Sequence, residues 1–202
     1  MNLKDYNEIL FFWFGEIKGE LSTAKNRQMW YSSSTSTDVL ISDQFKDTLL
    51  SAAQGQFNDW RQSPHGRLAL IILFDQISRN IFRGRAEAFA YDHQALELCI
   101  EGVKEGADQS LYLIERLFFY HPLEHAESLE AQNQCVQLMQ TLVKQYSGLQ
   151  QDVANNSLKF ATEHRDIILQ FGRFPHRNEV LKRQCSAAEL AYLNSGGKRF
   201  GQ

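Results

Sequence analysis

Apolar positions recur at intervals of three and four along most of this chain, and no stretch alternates with period two, so the pattern predicts helices without a sheet. Leu3, Tyr6, Ile9, Leu10 and Trp13 form a first stripe, with Gly15 placed to stop it. The polar stretch from Ser22 to Thr37, with Trp30 and Tyr31 as its aromatic anchor, reads as a loop. Leu40, Ile41, Phe45, Leu49 and Ala52 form the next stripe, with Thr37 or Asp38 as its expected cap and Gly55 closing it. From about Pro64 to Phe82 the chain is apolar on nearly every side through LALIILF. That predicts a central helix surrounded by others, with Pro64 in its first turn.

Phe89, Leu96, Ile100 and Val103 mark a further face, and Gly106 and Asp108 punctuate the turn into a helix carrying Leu111, Ile114, Phe118 and Phe119. Pro122 is expected to end that helix, because the residue before a proline is pushed out of helical geometry. Ser128 can cap a helix through Cys135, Leu138, Met139, Leu142, Val143 and Tyr146, followed by Gly148. Another face then runs from Val153 through Phe160 and His164 to Phe171 and stops at Gly172. Ser186 and Glu189 make an S-x-x-E capping box, with Cys185 and Leu190 as its staple, for a last short helix ending at Gly196 and Gly197. The expected fold class is all-α: antiparallel helical hairpins, as a bundle or a stacked array, in one domain over residues 1–202.

Composition narrows the picture. At 202 residues, 43% hydrophobic and 12% aromatic, the chain can build one continuous core, and disorder is not expected. A net charge of −3 gives no general basic field for nucleic acid, so any anion site must be local. Cys99, Cys135 and Cys185 are odd in number and form no CxxC, which argues for reduced thiols rather than a disulfide framework or a zinc knuckle. No signal peptide pattern is present and the longest apolar run is too short to span a membrane, so a cytoplasmic location is expected.

Two segments concentrate polar groups among apolar neighbours: FDQISRNIFR, residues 74–83, and FGRFPHRN, residues 171–178. Asp75 and Arg79 stand four apart on the central helix in the order that favours an ion pair, with Gln76, Asn80 and Arg83 close by. In the second segment Gly172, Phe174, Pro175 and Asn178 are explained by a helix stop, an extended residue and a cap. Arg173, His176 and Arg177 are not. Their guanidinium forks suit a carboxylate or phosphate, supplied by a ligand or by Asp75, Glu115 or Glu127. His121, His125 and Glu127, with His164, invite a metal reading. Their spacing matches no dedicated motif, so each histidine is expected to be a hydrogen-bonded structural residue and no metal ligand is assigned. No nucleophile elbow or phosphate-binding loop is present.

LALIILFDQISRNIFRGRAEAFAYD, ERLFFYHPLEHAE and HRDIILQFGRFPHRN, together with FWFG near the N-terminus, resemble the signature segments of a bacterial family catalogued as a domain of unknown function, number nine-two-four. The resemblance covers nearly the whole chain. It implies a tetratricopeptide-repeat-like fold and brings no established activity. By position its motif corresponds to Asp75, Gln76, Arg79, Asn80, Arg83, Glu115, Arg116, His125, Glu127, His164, Arg173, His176, Arg177 and Asn178. The sequence departs from the family pattern at Ser78, where proline is common, at Ala126, where serine is common, and at Lys182 and Cys185.

Three functional readings remain open. The first is a binding protein whose Arg79, Arg83, Arg173, His176 and Arg177 hold an anionic small molecule or an acidic peptide end. A hydrolase or lyase using Asp75 or Glu127 with His125 and His164, with or without a metal, is the second. In the third the cluster is only a helix-locking scaffold. The sequence identifies no cofactor and leaves the oligomeric state open.

Overall fold

A computed structural model describes residues 3–30 and 34–200 and is all-α; Tyr31, Ser32 and Ser33 of the expected loop lie outside the described residues. Helix α1 (Tyr6–Phe14) opens on a capping box in which Asp5 accepts from the Glu8 amide and Glu8 answers to Asp5. It stops at Gly15, whose φ of +64° suits glycine. Where a loop was expected, Ala24–Trp30 forms a short helix, α2. It buries no residue, so no apolar stripe announces it. Its polar side chains instead satisfy the open end of α1: Asn26 Nδ2 donates to the Phe12 and Trp13 carbonyls, and Trp30 Nε1 donates to Trp13 O at 3.0 Å.

Helix α3 (Thr35–Ala53) begins at Ser34 rather than at Thr37 or Asp38. Asp38 is not a cap because its carboxylate is spent on the central helix, accepting from Asn80 Nδ2 at 2.8 Å and from Arg83 Nε at 2.7 Å. The central helix starts as α4 (Pro64–Ile71), with Ser63 accepting from the Gly66 amide. It widens to π geometry over Ile72–Ile77 and returns to α in α5 (Ser78–Ile81). Leu68, Ile71, Ile72 and Leu73 are wholly buried, as an element surrounded on all sides requires. Truncating one of them, as in Leu68→Ala, is expected to cost about 2–5 kcal/mol.

Helix α6 (Asp92–Glu105) ends at the left-handed Gly106. Its buried face is Ala95, Leu98, Cys99 and Gly102, not the larger Ile100, which stays exposed. Small residues win here because Gly102 lies against Phe119 and Arg67, where an added Cβ would come within 2.5 Å of the Phe119 ring. Helix α7 (Leu113–His125) does not stop at Pro122 but carries it, buried, through to His125. The proline forfeits one backbone hydrogen bond. Buried side chains on either side, Phe119, Tyr120 and Leu123, hold the last turn in place.

Helices α8 (Leu129–Gln145) and α9 (Gly148–Phe171) form a tight antiparallel hairpin, and Gly172, at φ +70°, ends α9 as expected. The last helix, α10 (Ala187–Asn194), has the expected Ser186–Glu189 capping box, but Leu190 is exposed and staples nothing. The three cysteines are free, and among the described residues no helix is long and apolar enough to cross a membrane.

Candidate functional site

Continuing α7 past Pro122 decides what the site contains. His121, Glu124 and His125 stand at i, i+3 and i+4, so one helix face presents two imidazoles and a carboxylate to the polar end of the central helix. Opposite them, in the π segment, sit Asp75 and Gln76. The Ser78 amide bonds back five residues to the Leu73 carbonyl, which marks the extra residue in the turn.

Asp75 is 1% exposed. His125 Nδ1 lies 2.8 and 3.0 Å from its two oxygens, Arg79 Nη2 lies 3.3 Å away, and Gln76 Nε2 donates to it while reaching His121 Nδ1 at 3.2 Å. Burial pushes the Asp75 carboxyl up, but the charges of His125 and Arg79 outweigh it and hold it well below the usual carboxylate range. Arg79 also makes a paired contact with Asp92, at 2.8 and 3.2 Å, and Asp92 is shared with Arg177 at 3.5 Å. The Arg177 guanidinium lies between the rings of Phe89 and Phe174, 4.7 and 4.5 Å from their centroids. Burial, and then Arg79, push it down to about 10.

On the other flank, burial drives Glu124 up to about 8, helped by Asp75 and Glu163. His164, from α9, places Nδ1 3.3 Å from Glu124 Oε1 and 2.8 Å from the Phe160 carbonyl. Burial, then His125, lower His164 to about 2 and His121 to about 3, so both rings are neutral. The Phe200 ring stacks on His164 at 3.6 Å.

Of the sequence candidates, the structure gathers Asp75, Gln76, Arg79, His125, His164 and Arg177 into one network. Asn80 and Arg83 adjoin it through Asp38, and His176 packs at 5.6 Å on Phe174. The others lie in separate contacts. Glu115 accepts from the Tyr112 amide at the start of α7, roughly 15 Å along the helix from His125 at 1.5 Å per residue. Arg116 is bound to Tyr120 and Gln145. Glu127 accepts from Arg183 at 2.6 Å and from the Phe174 amide at 2.8 Å, so it ties two segments together. Arg173 is held by Glu189, and Asn178 meets Cys185 Sγ at 3.2 Å. The carboxylates that engage the arginines are therefore Asp92, Glu189 and Asp38 besides Asp75. Sequence reasoning also missed Glu124, because a helix stopped at Pro122 has no face on which to place it.

Beyond Arg79 the surface opens into a recess of about 60 Å³ lined by Arg79, Arg83, Arg85, Phe89, His176 and Val180, with Gly84 and Ala88. Four of these eight residues carry basic groups, and no carboxylate is among them. The acids that pair with Arg79 and Arg83, namely Asp75, Asp92 and Asp38, are not among the residues that line it. Arg85 has no acidic partner among the described residues; its guanidinium rests over Phe82 and one nitrogen donates to the Ile81 carbonyl.

A family model described as "Bacterial protein of unknown function (DUF924)" matches residues 9–197. A solved structure of a protein of unknown function from Agrobacterium tumefaciens is similar at 34% identity, with a TM-score of 0.80 over 95% of this chain and 97% of that one. No curated protein matches the chain.

Proposed function

The chain belongs to this bacterial family of proteins of unknown function, and from that premise we propose, on its geometry, that it is a binding protein for a small molecule bearing a carboxylate or phosphate. The recess beyond Arg79 receives the acid group. One observation carries this reading: the residues that line the recess include three arginines and a histidine and no acid, a set suited to an anionic group. Phe89 supplies an apolar floor, and Arg79 and Arg177 packed against its ring keep the site rigid before a ligand arrives. A volume of about 60 Å³ suits an acid group rather than a whole peptide, which favours a small ligand, or only the terminal carboxylate of a larger one.

The test is titration of the full chain with inorganic phosphate and, in parallel, with succinate, followed by amide shifts over residues 79–89 and 176–180. Saturable shifts that Arg85→Ala weakens by about tenfold or more, with the melting temperature unchanged, are expected. Preference between the two probes tells phosphate from carboxylate. If neither probe gives saturable shifts there, the binding reading is lost.

A further inference from the structure

The opposite flank of Asp75 carries a different inference, which does not rest on the anion recess. We propose that Glu124, His125 and His164 form a site for one divalent transition-metal ion of the zinc or iron(II) class. The three residues each offer one ligand atom, and these atoms lie within 4.8 Å of one another. Nitrogen and oxygen ligands at about 2.0–2.1 Å from an ion would stand roughly 3.3 Å apart in a tetrahedral site, so modest side-chain rotation closes the set. Two imidazoles and one carboxylate are a donor set that suits such ions and leaves coordination positions open.

The surroundings are those that metal-binding histidines use. The His125 Nδ1 is committed to Asp75, and the His164 Nδ1 to the Phe160 carbonyl. Each ring is thereby held in orientation by a second partner, as metal-binding histidines are. Gln76 holds Asp75 and His121 in turn, so this supporting layer is itself hydrogen-bonded. The histidines come from two helices that pack against each other, α7 and α9, which gives the set a rigid frame.

Electrostatics points the same way. Glu124 is buried, and the only partner of its carboxylate among the described residues is the His164 Nδ1 at 3.3 Å, a proton already directed to Phe160. The nearby guanidiniums are spoken for, Arg79 by Asp75 and Asp92 and Arg177 by Asp92. A buried carboxylate without a cation must take up a proton or find one. Neutral histidines are the form that ligates a metal. A bound ion would supply Lewis acidity and an activated water, placing metal-assisted chemistry one contact chain, His125 to Asp75 to Arg79, from the recess.

The test uses the full chain stripped with a chelator and dialysed, then titrated with Zn²⁺ by calorimetry and with Co²⁺ by visible absorption. One ion per chain is expected, and Glu124→Gln and His164→Gln should each weaken binding at least a hundredfold. Both replacements conserve much of the side-chain volume, so unchanged helical circular dichroism in the metal-free proteins separates lost ligation from lost folding. Arg85→Ala should leave the Zn²⁺ isotherm unchanged, so this inference and the anion reading fail independently. Absence of one-to-one binding, or wild-type affinity in folded Glu124→Gln and His164→Gln, overturns the proposal.

Discussion

Arg79 and Arg177 share Asp92, and Arg79 reaches Asp75 as well, whereas among the described residues the Glu124 carboxyl, a helical turn from His121, meets only an imidazole nitrogen already turned to a backbone carbonyl. Asp75 stands between these two regions and belongs to both, through Arg79 on one side and His125 on the other. On the arginine side each buried charge has its opposite, and the recess beyond is lined by basic groups and no acid. On the histidine side the Glu124 carboxyl is buried against the neutral ring of His164. The contrast teaches where a ligand of each sign is wanted: an anion on the outer face of the compensated region, a cation in the uncompensated one.

Changes at five positions test this picture, four of them through that contrast. The largest effect belongs to Asp75→Asn, which leaves Arg79 with one acid partner in place of two and His125 without its carboxylate; a loss of about 3–5 kcal/mol in urea unfolding is expected. Glu124→Gln in metal-free protein should cost far less, since a carboxyl raised to about 8 is mostly protonated at neutral pH and the Gln amide replaces a neutral group of similar size. Equal losses from the two would abolish the distinction drawn here. Next comes Arg177→Ala, which vacates the slot between Phe89 and Phe174 and frees part of Asp92. About 2–4 kcal/mol is expected, with Arg177→Met recovering part of it through packing.

A third effect is pH-dependent and lies outside both regions. The hydrogen bonds from Arg173, reinforced by the Ser186 amide, hold Glu189 down to about 2, well below its ordinary value near 4.5. A carboxyl lowered in the folded state stabilises at pH values above its unfolded pKa. That contribution is present above about pH 4.5 and is lost as the pH falls toward 2. Thermal melts of Glu189→Gln should therefore show a flatter acid limb than wild type. Identical limbs would remove this pair from the account. The smallest effect is Arg85→Ala, expected within about 0.5 kcal/mol of wild type in stability even though it empties the recess of its least engaged cation.

The parts of the fold that were legible in the sequence are those fixed by local chemistry. The Ser186–Glu189 box, the left-handed Gly106 and Gly172, and the all-round apolar central helix each follow from neighbouring residues. Tertiary packing overrode local signals elsewhere. Pro122 is a helix stop by its own chemistry, yet buried neighbours carry α7 through it. Asp38 is a good cap by type, but Asn80 and Arg83 claim it. Helix α2 exists to satisfy another helix's carbonyls and leaves no hydrophobic period to read.

The candidate site divides in the same way. Asp75 with Arg79 was readable from a spacing of four, and the structure places the pair at 3.3 Å. The counter-ions Asp92 and Glu189 are distant in sequence from the arginines they hold, 13 and 16 residues away, and no local rule pairs them. Glu124 becomes visible only when His121 and His125 are allowed to share its helix. Two histidines and a glutamate across the proline would have been the signal.

The most direct test of the contrast is a crystal of the full chain grown with Zn²⁺ and phosphate, examined by anomalous scattering at the zinc edge. The account predicts one anomalous peak bonded to Glu124, His125 and His164 at about 2.0–2.2 Å, with phosphate at Arg85 on the other side of Asp75. Zinc absent from that triad, with Glu124 still turned to His164 alone, would contradict it.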